Sequence, residues 1–187
     1  MAYYTEQELQ KLGFKYIGVN VKVSDKASIY DYNHISIGDN SRIDDFCVIS
    51  GKVRIGRNVH ITPMCLIAGG DRGVVFKDFT TISYGVKIFT QSDDYSGATL
   101  TNSTIPKKYK KEYKKRVVIK KYSIVGAGSI IMPGVTLAKG SSIGAMSLVL
   151  RDTKPWHIYI GSPATKLKPR EKGLLSLEKQ YLHDIDL

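Results

Sequence analysis

Cysteine is nearly absent from the 187-residue chain, which has only Cys47 and Cys65. Two thiols so far apart make neither a disulfide framework nor a zinc motif. Histidine is scarce too, with His34, His60, His157 and His183 as the whole supply. Their spacing shows no convergent three-histidine metal site, and no metal is expected. No apolar run approaches the roughly eighteen residues that a membrane span needs. The N-terminus MAYYTEQELQ lacks the basic-then-apolar order of a signal peptide, so a cytoplasmic protein is expected. Acidic residues number 17 against 28 Lys and Arg, a net charge of +11. Much of that excess is local, because PKKYKKEYKKR carries seven cations between Lys107 and Arg116 against the single Glu112. A uniformly basic groove would suggest nucleic acid. One basic loop on a mildly basic body instead suits a phosphorylated small molecule, or is simply a solvated loop.

What the chain does have is a beat of six. Aliphatic residues fall at Ile17, Val23 and Ile29, then after a two-residue slip at Ile37, Ile43, Ile49, Ile55, Ile61 and Ile67. A three-residue slip leads to Phe76, Ile82 and Ile88; after a long interruption come Ile119, Val125, Ile131, Leu137, Ile143 and Val149. Four places after most beats stands a small or β-branched residue, among them Ser41, Cys47, Cys65, Ser123, Ser129, Ser141 and Ser147. A helix of period 3.6 cannot hold this pattern, and simple alternation does not produce a unit of six.

A short strand plus a turn, repeated, does produce it. Three such units close one triangular coil, so eighteen beats predict six coils, each burying its aliphatics against its neighbours. Cys47 and Cys65 stand one coil apart and are expected to stack inside. Thr5 and Glu8 form a capping box ahead of Gly13, which predicts an N-terminal helical cap over 1–16. The β-helix is expected over 17–154 with an extruded loop at about 89–118. A tail follows over 155–187, in which SLEKQYLHDI reads as a second helix covering the open end. One domain spans the whole 1–187.

Tandem hexads of this form, closing in GAGSIIMPGVTLAKGSSIGAMSLVLRD and GSPATKL, resemble the hexapeptide-repeat acyltransferases over about residues 17–170. The resemblance implies an all-β solenoid, a left-handed parallel β-helix, although ordinary crossovers run right-handed. It also implies a homotrimer with active sites between subunits, and acetyl-CoA as donor. DDFCVISG, SDDYSG and PWHIYIGSPA look most like the acetyltransferases of nucleotide-linked amino sugars in O-antigen or capsule assembly. That group acts on dTDP-4-amino-4,6-dideoxyglucose and similar nucleotide sugars.

By motif, the resemblance puts the amide that polarises the thioester at Ala127 in VGAGS. Ala145 in IGAMS is the matching position along the pantetheine arm. Arg151, Lys166 and Lys168 would meet the coenzyme's phosphates, although the usual tail has a basic residue where Thr165 stands. Most relatives close the stretch matching GVKIFTQSDD with a histidine acting as general base; here Asp93 takes that place. A carboxylate with a reference pKa of about 3.9 is a poor base for a sugar hydroxyl, whereas a neutral amine needs only orientation and a proton sink. N-acetylation is therefore favoured, with O-acetylation of a sugar or antibiotic as the alternative and a non-catalytic scaffold as the second. His60 precedes a beat and points outward beside Arg42 and Ile124, which makes it the spare base. Asp71 matches an acceptor-binding position of some relatives, and Asp94 and Tyr95 complete the expected acceptor contacts. The plain alternative for Asp93 and Asp94 is that they only open a turn.

Overall fold

Eighteen short strands follow the eighteen beats in the computed structural model, which describes residues 2–185. The terminal positions 1, 186 and 187 of the expected domain lie outside the described residues. Each coil gives one strand to each of three parallel sheets. The first face stacks Tyr16–Ile17, Ile35–Ile37, Val53–Ile55, Val74–Phe76, Val117–Ile119 and Thr136–Leu137. The second stacks Lys22–Val23, Arg42–Ile43, His60–Ile61, Thr81–Ile82, Ile124–Val125 and Ser142–Ile143. The third stacks Ser28–Ile29, Val48–Ser50, Leu66–Ala68, Lys87–Phe89, Ile130–Ile131 and Leu148–Val149. The left-handed solenoid runs to about seven turns, one more than the six expected, because only six coils carry a strand on all three faces. His157–Ile160 and then the antiparallel Thr165–Pro169 extend the second face beyond them.

Stacking explains the beat. From Val23 to Val149 every beat residue is at most 7% exposed, because each sits between its equivalents in the coils above and below. The small residues fill the corners of the prism, where a larger side chain would meet the opposite wall. Their hydroxyls are not wasted there: Ser129 Oγ donates to Gly144 O at 2.9 Å and accepts from Ser147 N at 3.1 Å. Ser41 does the same with Gly56 O at 2.8 Å and Val59 N at 3.1 Å. Satisfied in this way, a buried hydroxyl joins coils instead of destabilising them. Cys47 and Cys65 are free, buried and in adjacent coils as expected, each donating its thiol to a backbone carbonyl, Thr62 O and Ser83 O.

The N-terminal cap forms as expected. Helix α1 spans Glu6–Lys11, with Thr5 Oγ1 and the Glu8 carboxylate making the reciprocal capping box. The C-terminal helix α2, Leu174–Ile185, corrects the expectation that it covers the open end. It folds back along the edge between the first and second faces. Tyr181 Oη accepts from Asn58 Nδ2 at 2.8 Å, and its ring meets Phe79 edge-on with centroids 6.1 Å apart. Glu178 binds Lys121 Nζ at 2.6 Å and the Tyr122 hydroxyl. The physical reason lies in that edge, whose turn residues Phe79, Tyr122 and Trp156 all have positive φ and stack with centroids 6.1 and 5.9 Å apart. This aromatic ladder offers Leu174, Glu178 and Tyr181, one stripe of the helix, more contact than the coil end would.

The extruded loop lies where it was expected. Phe89, Val117 and Val118 belong to the faces. The excursion between them is rooted in an antiparallel ribbon, Gln91–Asp93 against Glu112–Lys114. Lys110 and Lys114 both bind Glu112 at 2.9 Å, so one carboxylate is shared by two of the seven cations within the arm.

Candidate active site

The edge between the second and third faces is built from stacked four-residue turns. In the fifth coil, Ser129 N reaches back to Gly126 O at 3.3 Å, with Gly128 at φ +70 in the position that requires a left-handed residue. The fourth coil repeats the turn with Val86 N, Ser83 O and Gly85 at φ +66. Backbone bonds join the turns into a column: Gly85 N to Pro63 O, Gly128 N to Tyr84 O, Met146 N to Ala127 O. Ala127 and Ala145 thus occupy equivalent places in neighbouring coils. Among the described residues their N–H groups have no protein acceptor. A Cβ on Gly126 would lie 2.5 Å from Ala145 N, so only glycine lets these turns stack so closely. At Ala127 and Ala145 the edge offers small side chains and unclaimed amides, between the exposed Tyr84 and Met146, which fits a slender pantetheine arm and a thioester oxygen.

Two coils further toward the N-terminus, the same side carries a cluster that centres on Asp44. Its carboxylate, 2% exposed, accepts from Arg42 Nε at 2.6 Å, Tyr3 Oη at 3.0 Å and His60 Nε2 at 2.8 Å. Burial alone would push the Asp44 carboxyl up, but the hydrogen bonds from Arg42, His60 and Tyr3 outweigh it and hold the group below the usual range. An ionised Asp44 can only accept, so His60 Nε2 carries the proton in this bond. His60 lies on the outer ladder between Arg42 and Thr81, and Thr81 beside Ile124, as the sequence implied. Asp44, Tyr3 and Ser83 were not singled out from the sequence. Their signal was available in part: Arg42 and His60 are one coil apart, with Asp44 beside Arg42. Ser83 stands where the later coils have Gly126 and Gly144, and its hydroxyl has no partner among the described residues.

The acidic candidates lie on the other edge of the third face. Thr90, buried and bonded to Ala68 O and Gly69 O at 2.8 and 2.7 Å, anchors the start of the arm. Asp93 follows in the ribbon, half-buried opposite Glu112, and accepts from Asn102 N at 3.2 Å. Asp94 forms the turn: it accepts from Ser96 N at 3.0 Å and Thr99 Oγ1 at 3.2 Å, and these bonds, the Ser96 amide first, hold its carboxyl below the ordinary range. Tyr95 is 91% exposed at the arm's outer end. Asp71 is exposed in the turn before Val74–Phe76, on the same edge as the arm's root. At the C-terminal end Arg151 shares a shallow cleft with Thr165, while Lys166 and Lys168 lie on the outermost strand opposite Tyr159 and Ile158.

One chain therefore places Ala127 and Ala145 on one edge, with His60 on the adjoining second face two coils before Ala127, and Asp71, Asp93, Asp94 and Tyr95 on another edge. The third face separates them. Its outward ladder reads Ser28, Val48, Leu66, Lys87, Ile130 and Leu148, four of the six apolar.

A left-handed coil stack with an amide-lined edge, a carboxylate-bearing arm and a basic tail defines a class, the hexapeptide-repeat acyltransferases. The bacterial transferase hexapeptide (six repeats) family matches residues 34–69. The dTDP-4-amino-4,6-dideoxy-D-glucose acyltransferase of Escherichia coli is 41% identical over 184 residues, 97% of this chain and 95% of that protein. AntD, an N-acyltransferase from Bacillus cereus solved in complex with dTDP and 3-hydroxybutyryl-CoA, is 43% identical, with a TM-score of 0.97 over 99% of this chain and 98% of AntD. A serine-to-alanine variant of AntD, solved with dTDP-4-amino-4,6-dideoxyglucose and coenzyme A, matches with the same score over 98% of each chain. The chain belongs to the family of these dTDP-amino-sugar acyltransferases.

Proposed function

We propose that the protein transfers an acyl group, acetyl in the simplest case, from acyl-CoA to the amine of a dTDP-linked amino-dideoxyhexose. The observation that carries this reading is the pairing of Ser83 with Asp93. AntD has been solved with a serine or an aspartate replaced, in complexes with dTDP or its amino sugar and coenzyme A, and those two residues stand ten positions apart. Ser83 and Asp93 stand ten apart here, in a chain that aligns with AntD almost end to end.

The chemistry follows from the track. Acyl-CoA lies along the edge, with its phosphates toward Arg151, Lys166 and Lys168, its pantetheine beside Ala145 and its thioester oxygen on the Ala127 amide. The neutral amine attacks the carbonyl carbon, a C–N bond forms, and the oxyanion gathers on the Ala127 N–H. Asp93 takes the ammonium proton as the C–S bond breaks, and that proton finally goes to the coenzyme thiolate. Asp71, Asp94 and Tyr95 flank the acceptor. His60, oriented by Asp44, faces the acceptor side of the track and is the second candidate for the proton.

The two groups of residues meet if the apolar third face packs against a neighbouring copy, which makes a homotrimer with one site per interface. The arm of one subunit then reaches the amide edge of the next. No described helix is long and apolar enough to cross a membrane; we place the enzyme in the cytoplasm, in O-antigen or capsule assembly. Release of free thiol from acetyl-CoA, measured with dTDP-amino sugars, galactosides, maltose and chloramphenicol, tests the acceptor class. Turnover confined to hydroxyl acceptors would overturn it.

A further inference from the structure

The first face carries a charge cluster that the acyl transfer above leaves unused. A cleft of about 290 Å³ opens beside Arg54, and Lys15, His34, Lys52, Arg72 and Arg116 converge on it from different coils. Among the described residues no acidic side chain lines the cleft, and none of the six makes an ion pair. The chain pairs its cations elsewhere, Arg42 on Asp44 and Lys110 and Lys114 on Glu112. Arg116 is also held in place, since its Nε donates to Arg72 O at 3.1 Å and leaves the terminal nitrogens for another acceptor. Like charges gathered without a counter-charge repel one another unless an anion joins them. Guanidinium groups in such a cluster match the paired oxygens of phosphate esters.

The geometry points to this cleft as a binding site for a diphosphate ester. We assign it to the diphosphate of the nucleotide-sugar acceptor, an assignment that rests on the function proposed above. Position supports the acceptor over the donor. Arg72 and Arg116 flank the root of the arm that carries Asp93: Val117 N donates to Gly73 O at 3.2 Å and Lys115 N to Thr90 O at 3.0 Å. The cleft runs from the first coil to the fifth and so includes the levels at which His60, Ser83 and Ala127 stand, whereas the residues proposed for the coenzyme phosphates lie at the C-terminal end. A nucleotide sugar with its phosphates on the first face can present its hexose at the adjoining arm.

The test uses the intact protein and the exposed double variant Arg54→Gln/Arg72→Gln, with Arg54→Lys alongside and thermal unfolding as the check on folding. Calorimetry with inorganic pyrophosphate should show binding to the wild type, weakened about tenfold or more in the double variant and partly kept by Arg54→Lys. The KM for the dTDP-amino sugar should rise by a similar factor, with the KM for acetyl-CoA unchanged. Absent or unaltered pyrophosphate binding would overturn the site. A rise in the KM for acetyl-CoA alone would give the cleft to the donor and overturn the assignment. If the wild type bound pyrophosphate here but acylated no amino sugar, the function proposed above would fail while the diphosphate site stood.

Discussion

Replacing Ala127 by proline deletes one N–H and almost nothing else. Ala127 is the first central residue of its turn, with Gly128 at φ +70 after it, and that position favours proline's fixed φ. The chain already demonstrates the fit. Pro63 holds the same place two coils earlier, followed by Met64 at φ +63, and its carbonyl accepts from Gly85 N at 3.1 Å as Ala127 O accepts from Met146 N at 2.8 Å. Because the Ala127 N–H bonds no described residue, the fold loses no hydrogen bond. Stability should be unchanged or rise by about 0.5 kcal/mol, since proline restricts the unfolded chain; the midpoint of thermal unfolding then moves by no more than about 2 °C. The loss should fall on the oxyanion. Removing one preorganised donor costs on the order of 3 kcal/mol, so kcat should drop 10²- to 10³-fold while the KM for acetyl-CoA changes by less than about tenfold. Steady-state thiol release on the folded variant reads both. Full turnover by Ala127→Pro would show that the oxyanion is stabilised elsewhere. Ala145→Pro, one coil on, should instead raise the KM for acetyl-CoA and spare kcat.

Asp93→Asn should keep the unfolding midpoint, since among the described residues the carboxylate accepts only from Asn102 N, and lower kcat by about 10²-fold or more. Asp44→Asn should destabilise the fold by about 2 kcal/mol at pH 7, the loss of charge-assisted bonds discounted because Arg42 and His60 are 37% and 40% exposed. The sign with pH follows from a carboxyl held below its usual range. Its contribution is complete above the unfolded value of about 3.9 and is lost as pH falls through the folded one. Urea unfolding of both proteins should therefore show a gap constant from pH 8 to about 5 and narrowing only below; a gap that widened on acidification would contradict it. If the proposed trimer packs through the third face, Leu148→Glu, on its outward ladder, should leave monomers in sedimentation velocity and abolish turnover together.

The solenoid is legible in the sequence because its beat depends on one inward residue per face, and that residue must be aliphatic in every coil. Ile88 and Ile119 fall on successive faces across the interruption, so the beats alone give six coils; the further turn at His157–Ile160 has no aliphatic beat and is missed. The ribbon inside the arm is hidden, since Gln91–Asp93 and Glu112–Lys114 are polar on both sides and offer no alternation. The seat of α2 is hidden as well. An amphipathic stripe announces that a helix packs, not what it packs on, and the aromatic ladder of Phe79, Tyr122 and Trp156 is spread over nearly eighty residues of sequence. Ala127 and Ala145 can be placed by motif, but the unclaimed amides that give them chemistry are a property of the turn. Asp44 escapes notice because its three partners come from Tyr3, its own strand and the next coil, and only coil register sets them side by side.

The trimer proposed above would take the amide edge of each active site from one subunit and the arm from its neighbour. Ala127→Pro and Asp93→Asn should each be nearly inactive alone. Unfolded together in equal amounts and refolded, they form mixed trimers in which an interface with Asp93→Asn supplying the edge and Ala127→Pro the arm has both groups intact. Thiol release should then return to about a quarter of the wild-type rate, the share expected from random assembly. A mixture no more active than the two variants apart would contradict the shared site and place the chemistry within a single chain.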